Sequence, residues 1–278
     1  VAQGIAEVPL YSGMWFRWIF LACALTLALV HTLRYGARIK SDPSRSFMVN
    51  DSFEVAETEG LDEYGPRHTA IIVVSTIIFA FILFATTRFG WWMSDMAGGF
   101  LLMGIVAAIL AKLSIKVTVE AFVDGMREMV VAALVVGFAR GIEVVLSQGQ
   151  VMDTIVHAAA SVLQEVPRYV AAIGMLFFES GLNLLVPSGS GQAAVTVPLM
   201  APLSDILGLS RQIAVFAFTC GDGFSNTVIP TSGILMSMLA LAKIPYGTWL
   251  KFMMPLFLQL MALSSLFLVI AVAINYSS

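Results

Sequence analysis

"NLLVPSGSGQAAVTVP", residues 183–198, is the stretch whose reading decides the fold. It joins "YVAAIGMLFFESG" (169–181) to "LMAPLSDILGL" (199–209), so Pro187, Ser188, Gly189, Ser190 and Gly191 interrupt a segment that is otherwise apolar enough for lipid. Each unsatisfied backbone group in hydrocarbon costs several kcal/mol, and irregular main chain persists there only where protein buries it or a watery cavity receives it. A turn of this composition at such a place therefore points to a function or to a change in chain direction.

The rest of the chain places that turn in a membrane. The 278 residues are 59% hydrophobic and 12% charged, with a mean hydropathy of +0.89. Soluble domains run near 45–50% apolar and about 25% charged. Long apolar stretches recur without the ten-residue alternation of a membrane barrel, so the expected class is an all-α polytopic membrane protein in contact with the bilayer. A net charge of −3 with no basic, aromatic-studded surface excludes nucleic acid as a partner. Cys23 and Cys220 lie in apolar segments and read as small buried hydrophobes. The chain begins at Val1 without a signal-peptide pattern, and a fragment is expected.

Spans are expected at Trp15–Leu33, Thr69–Thr87, Met96–Ala111, Met129–Leu146 and Leu250–Ile274. The acidic loop 34–68 reads as a mobile cytoplasmic linker carrying Asp42, Asp51, Glu54, Glu57, Glu59, Asp62 and Glu63. "SIKVTVEAFVDGMRE" (114–128) reads as a helix lying in the membrane plane or, equally, as a soluble-facing arm. Residues 169–207 read as a re-entrant hairpin, and 211–242 as a helix broken at "GDGFSNTVIPTSG" (221–233). The expected organisation is thus 1–68 first span and linker, 69–146 scaffold, 147–249 transport domain and 250–278 final span. With a re-entrant hairpin, Arg34, Arg38, Lys40, Arg45, Arg67, Lys112, Lys116, Arg127, Lys243 and Lys251 fall inside, and Arg17, Arg88, Arg168 and Arg211 outside. Positive-inside bias favours that arrangement over a hairpin that crosses.

Both breaks carry chemistry. Glycines let the tip turn, Pro187 brings no N–H, and Ser188, Ser190 and Gln192 stand where the next helix begins. Free N–H groups at a helix start favour an anion, so a carboxylate could be held there by Ser188, Gly189, Ser190, Gly191 and Gln192 without Arg or Lys. The second break repeats the design with Ser225, Asn226, Thr227, Thr231 and Ser232 as polar groups, Gly223 and Pro230 within it and Gly233 opening the next half-helix. Paired discontinuous helices near mid-depth are what secondary transporters use.

Asp222 and Glu179 are ionisable residues within membrane segments, where each needs a partner, a proton or an ion. Each is a candidate coupling site for H⁺ or Na⁺ or a receiver for a substrate ammonium. For Glu179 a purely structural role, bonding to neighbouring backbone, stands beside these. Asn183, one turn beyond Glu179, shares its face. Arg140 and Glu143 are expected to pair, Trp15, Trp18, Trp91 and Trp92 to anchor the interface, and the scattered His31, His68 and His157 to form no metal site. A serine-protease reading lacks a histidine after residue 157, an aspartyl-protease Gly-x-Gly-Asp pattern has Thr219 where glycine is required, and no ATP-binding loop is present.

The stretch from "LNLLVPSGSGQAAVTVP" through "TCGDGFSNTVIPTSG" and "LALAKIPYGTWLKFMMPLF" resembles the YfcC-type branch of the four-carbon dicarboxylate anaerobic carriers, in the ion transporter superfamily, and "GIAEVPLYSG" continues the likeness to the amino-terminal end. The resemblance implies an elevator-type carrier, usually dimeric, with two inverted repeats, in the bacterial inner membrane. It places the hairpin tip at Ser188–Gln192 and the unwound helix at Asp222–Thr231. Only one such repeat is visible. The functional expectation is an ion-coupled symporter or exchanger of small carboxylate-bearing solutes, dicarboxylates or amino acids, with no cofactor beyond Na⁺ or H⁺. A passive channel and a non-transporting scaffold or sensor subunit are the rivals.

Overall fold

The structure, a computed structural model, describes residues 2–9, 12–48, 65–89, 91 and 93–276, without the side chains at 87, 93, 128, 131, 132, 135, 136, 139, 140, 143 and 147. Every regular element among them is helical: α1 (Ala2–Ile5), α2 (Met14–Ser41), α3 (Pro66–Arg88), α4 (Met93–Leu110), α5 (Ile115–Gln148), α6 (Val151–Gln164), α7 (Arg168–Leu182), α8 (Gly189–Ile206), α9 (Arg211–Ser225), α10 (Gly233–Leu241) and α11 (Tyr246–Ala273), with a 3-10 turn at Pro43–Arg45. Met14–Ser41, Pro66–Thr86 and Tyr246–Ala273 are long and apolar enough to cross a bilayer, and Ser94–Leu110 is apolar but shorter. The Arg140–Glu143 pair, Trp92 and most of the acidic linker lie outside what is described.

Two expectations change. The in-plane helix 114–128 and the span 129–146 are one continuous helix, α5. No proline falls between Lys116 and Arg127 to end the helix there. The first span also runs on to Ser41 before its cap at Asp42. That carboxylate accepts from Ser44 N (3.2 Å), Ser44 Oγ (2.6 Å) and Arg45 Nε (3.0 Å). The Ser44 hydroxyl, first among these, holds the Asp42 carboxyl below its usual range.

Residues Phe53–Glu128 form one compact unit, in which α3 packs on α4. Gly99 makes the close approach there: a Cβ would lie 2.9 Å from Ile82 Cγ1. Phe81 meets Trp91 edge-on at 5.8 Å.

Val1–Ser52 with Met129–Ser278 form the other unit, which contains the hairpin and the broken helix. Its centre is α9, buried from Gln212 to Phe218 and again at Cys220, Gly221 and Ser225. Both hairpin arms, α7 and α8, pack along α9 and touch each other little, so the hairpin straddles a third helix. Helix α11 lies on α7, α9 and α2. Phe16 and Phe20 of α2 meet Phe216 and Phe267 at ring separations of 4.9–5.5 Å.

Helix α6 was not anticipated, although Met152, Val156, Ala160 and Leu163 recur at helical spacing and are its buried face against α7 and α8. The arm α8 ends with Gly208 at φ +65° and Leu209 N donating to Ser204 O at 2.8 Å, a left-handed glycine cap. The amino-terminal segment lies over α8 and α9, with Ala6 against Ala193, Val197, Ala201, Val215 and Phe218. Arg211 secures it, donating to Ala6 O (3.1 Å) and Glu7 Oε2 (2.8 Å) while also pairing with Asp205. Tyr276 closes the unit by donating its hydroxyl proton to Gly13 O at 2.7 Å.

Candidate functional site

The hairpin tip is built from the end of α7 outward. Asn183 caps α7, and Ser188 caps α8 by accepting from Gly191 N at 3.3 Å. Among the described residues the N–H groups of Gly189 and Ser190 have no acceptor. Gly189 is needed for proximity: a Cβ there would stand 2.9 Å from Asp222 Oδ2. The tip of the hairpin and the Asp222 side chain therefore meet.

Beneath the tip lies a buried polar cluster. Gln192 Nε2, on the first turn of α8, donates to Glu179 Oε2 at 2.6 Å and to Glu179 O at 2.9 Å, linking the arms. Asn183 Nδ2 donates to Asp222 O at 3.0 Å and Ser225 Oγ at 2.8 Å, linking the hairpin to α9. Glu179 is 1% exposed, and Asn183 and Gln192 are fully buried. Among the described residues, Asn183 Oδ1 and Gln192 Oε1 are buried acceptors without a donor. A buried amide oxygen left unpaired costs free energy, so this cluster has unused capacity for a cation, a proton donor or water.

The broken helix differs from expectation at its start. Asp222 is not in the unwound stretch but on the last turn of α9, which continues to Ser225, and the irregular part is Asn226–Ser232. Local bonds hold that extra turn despite Gly221 and Gly223. Ser225 Oγ donates to Gly221 O at 2.6 Å, and Asn226 Nδ2 donates to Asp222 O at 2.9 Å and to its Oδ1 at 3.3 Å. Thr227 Oγ1 donates to Phe224 O at 2.6 Å, and Thr231 Oγ1 reaches across to Leu184 O at 3.0 Å. Ser232 is buried at the start of α10 without a side-chain cap bond, Pro230 is exposed, and Gly233 opens the helix.

The candidate residues thus sort by position. Glu179, Asn183, Gln192 and Ser225 are interior, whereas Gly189, Gly191, Asp222, Asn226, Thr227 and Thr231 are partly accessible and Ser190 and Gly223 exposed. No Lys, Arg or His occurs in 183–192 or 222–233. Among the described residues no group of three His, Cys, Asp or Glu side chains is placed to hold a metal. Two functional groups were missed by sequence reasoning: Trp249 Nε1 donates to Thr227 O at 2.8 Å, and Tyr246 OH to Val228 O. Their signal was the "PYGTW" run (245–249) soon after the break.

Apolar helices of spanning length, with a hairpin tip against an interrupted helix, Glu179 buried and Asp222 partly accessible there, fit an integral membrane protein of the carrier type. The chain belongs to the C4-dicarboxylate anaerobic carrier family, whose DcuC model matches residues 1–273. It is 34% identical over 265 residues to a protein of Escherichia coli K12 named "Putative basic amino acid antiporter YfcC", an alignment covering 90% of this chain and 52% of that one. It is 32% identical over 281 residues to an uncharacterised protein of Haemophilus influenzae, covering 99% of this chain and 55% of that one. The chain spans about half the length of the curated relatives it matches. No solved structure matches it.

Proposed function

We infer that the chain supplies the solute site of an ion-coupled secondary carrier working by alternating access in elevator fashion, and that its solute is an amino acid, with a basic one favoured. The observation that carries this is a site with Asp222 at its mouth, Glu179 behind it and no basic side chain in either break. A dicarboxylate would bring two negative charges towards two carboxylates, a repulsion that grows as water is excluded. An amino acid instead brings its ammonium to Asp222 while its carboxylate takes the open N–H groups at the start of α8 or α10. A basic side chain adds a second cation, which agrees with the name of the Escherichia coli relative.

Glu179 is the coupling group in this reading. A carboxylate at 1% exposure, with the Gln192 amide donating to it, carries its charge at great cost, so its occupancy by a proton or by Na⁺ is tied to the state of the site. The unused oxygens of Asn183 and Gln192 are the further ligands Na⁺ would take.

Thermal unfolding in lipid nanodiscs, with L-arginine, L-lysine, L-alanine or succinate and with or without Na⁺, tests the solute class. Stabilisation by the amino acids, abolished in Asp222→Asn, is expected; stabilisation by succinate alone would refute the assignment. Counterflow in proteoliposomes separates a carrier from a pore, because trans-solute accelerates uptake only through an exchanger.

A further inference from the structure

A helix that stops leaves its last carbonyls without intrahelical donors, and in hydrocarbon those oxygens must find partners. Two consecutive carbonyls of the break, Thr227 O and Val228 O, are satisfied from another helix. Trp249 Nε1 donates to the first at 2.8 Å and Tyr246 OH to the second. The donors are three residues apart on the first turn of α11 and share one face. Trp249 rests on Phe252 at 5.8 Å between ring centres, and Phe252 meets His31 and Tyr35 of α2 at 4.9 and 5.0 Å. His31 Nε2 also hydrogen-bonds with Phe252 O at 2.9 Å.

We propose that Trp249 and Tyr246 are positioning residues for the solute site, replacing the amide donors that the break lacks and so fixing the backbone of Asn226 and Thr227 beside Asp222. Aromatic side chains at a helix start often serve merely as interfacial anchors, with the polar edge turned to headgroups. Here the polar edges turn inward to main-chain oxygens, and Tyr246 and Trp249 are only partly exposed. The assignment rests on the reading of the break as a solute site for its function, but not for its geometry.

The test uses the full chain, in nanodiscs for exchange and binding and in proteoliposomes for uptake, with Tyr246→Phe, Trp249→Phe and the double variant, and Trp18→Phe, at an exposed tryptophan, as control. Amide hydrogen exchange in 226–232 is expected to speed up about tenfold or more in the double variant, with exchange in α7 unchanged. L-arginine affinity falls by a similar factor while the maximal uptake rate changes little, and Trp249→His, which keeps a ring N–H, recovers part of both. Tyr246→Phe removes a single oxygen and carries the test if Trp249→Phe does not fold. Unchanged exchange in 226–232 would overturn the proposal, as would faster exchange at unaltered L-arginine affinity. A parent protein that binds no L-arginine would refute the solute assignment instead, leaving exchange to decide the geometry.

Discussion

Gly221 of α9 lies directly against Glu179 of α7: a Cβ at Gly221 would stand 2.7 Å from Glu179 Cβ and 2.8 Å from Leu176 O. The obstacle is main chain as well as side chain, so the two helices must part to admit even a methyl group. Gly221→Ala is expected to destabilise the protein by about 1–3 kcal/mol, the usual cost of overpacking. Thermal unfolding in detergent measures this, and a melting temperature equal to the parent's would show that the helices are less closely seated.

Gly189 offers the contrasting case. Its added Cβ meets the carboxylate end of Asp222 at 2.9 Å, a flexible group that can rotate away. Gly189→Ala should therefore fold with near-parental stability while weakening solute binding, because the carboxylate is moved and the tip is crowded. Equal losses of stability in the alanine variants at 189 and 221 would contradict this difference.

Asn183 joins the end of α7 to two polar groups of α9 through a single amide. Asn183→Ala removes the donor to Asp222 O and Ser225 Oγ, and about 1–3 kcal/mol of stability is expected to go with it. Asn183→Asp should be worse, since a carboxylate buried at that place would set a negative charge against the Asp222 main-chain oxygen in place of the lost donor. Comparing the two by chemical or thermal unfolding separates a lost bond from an added charge.

Glu179→Gln keeps the shape of the side chain and removes the ionisable group. Uptake of L-arginine by the parent is expected to vary with pH or with Na⁺, and in this variant that variation should flatten while solute binding survives. A variant whose ion dependence matched the parent's would remove Glu179 from the coupling scheme.

Asp42 provides a pH effect far from the site. Its folded-state carboxyl is held below the ordinary value of 3.8, so the turn it caps is fully supported above that value and is released as pH falls through the lowered one. Amide exchange at Ser44 should rise over that acidic window, and Asp42→Ala should show the fast exchange at every pH.

The helical class, the hairpin and the break were legible because apolar runs of spanning length and the Pro-Ser-Gly and Pro-Thr-Ser clusters are local signals. Glycines mislead at Asp222: "GDG" looks like an interruption, yet Ser225 and Asn226 bond back onto the last turn and carry α9 past it. Charged residues at 114–128 mark no helix end, since α5 runs on to Gln148. What the sequence could not yield was who partners whom. Gln192 and Glu179 lie 13 positions apart, Trp249 and Thr227 lie 22 apart, and neither pairing has a periodic trace. The straddling of α9 by the hairpin arms is likewise a matter of packing alone.

The bond from Tyr276 to Gly13 spans 263 positions. Its unit is assembled from two separated pieces of chain, with Phe53–Glu128 threaded between them. Along the chain α2 thus comes long before α9 and α11, whose Phe216 and Phe267 receive Phe16 and Phe20. Contacts between such distant parts of a chain form slowly, so the docking of α2 is expected among the late steps of folding.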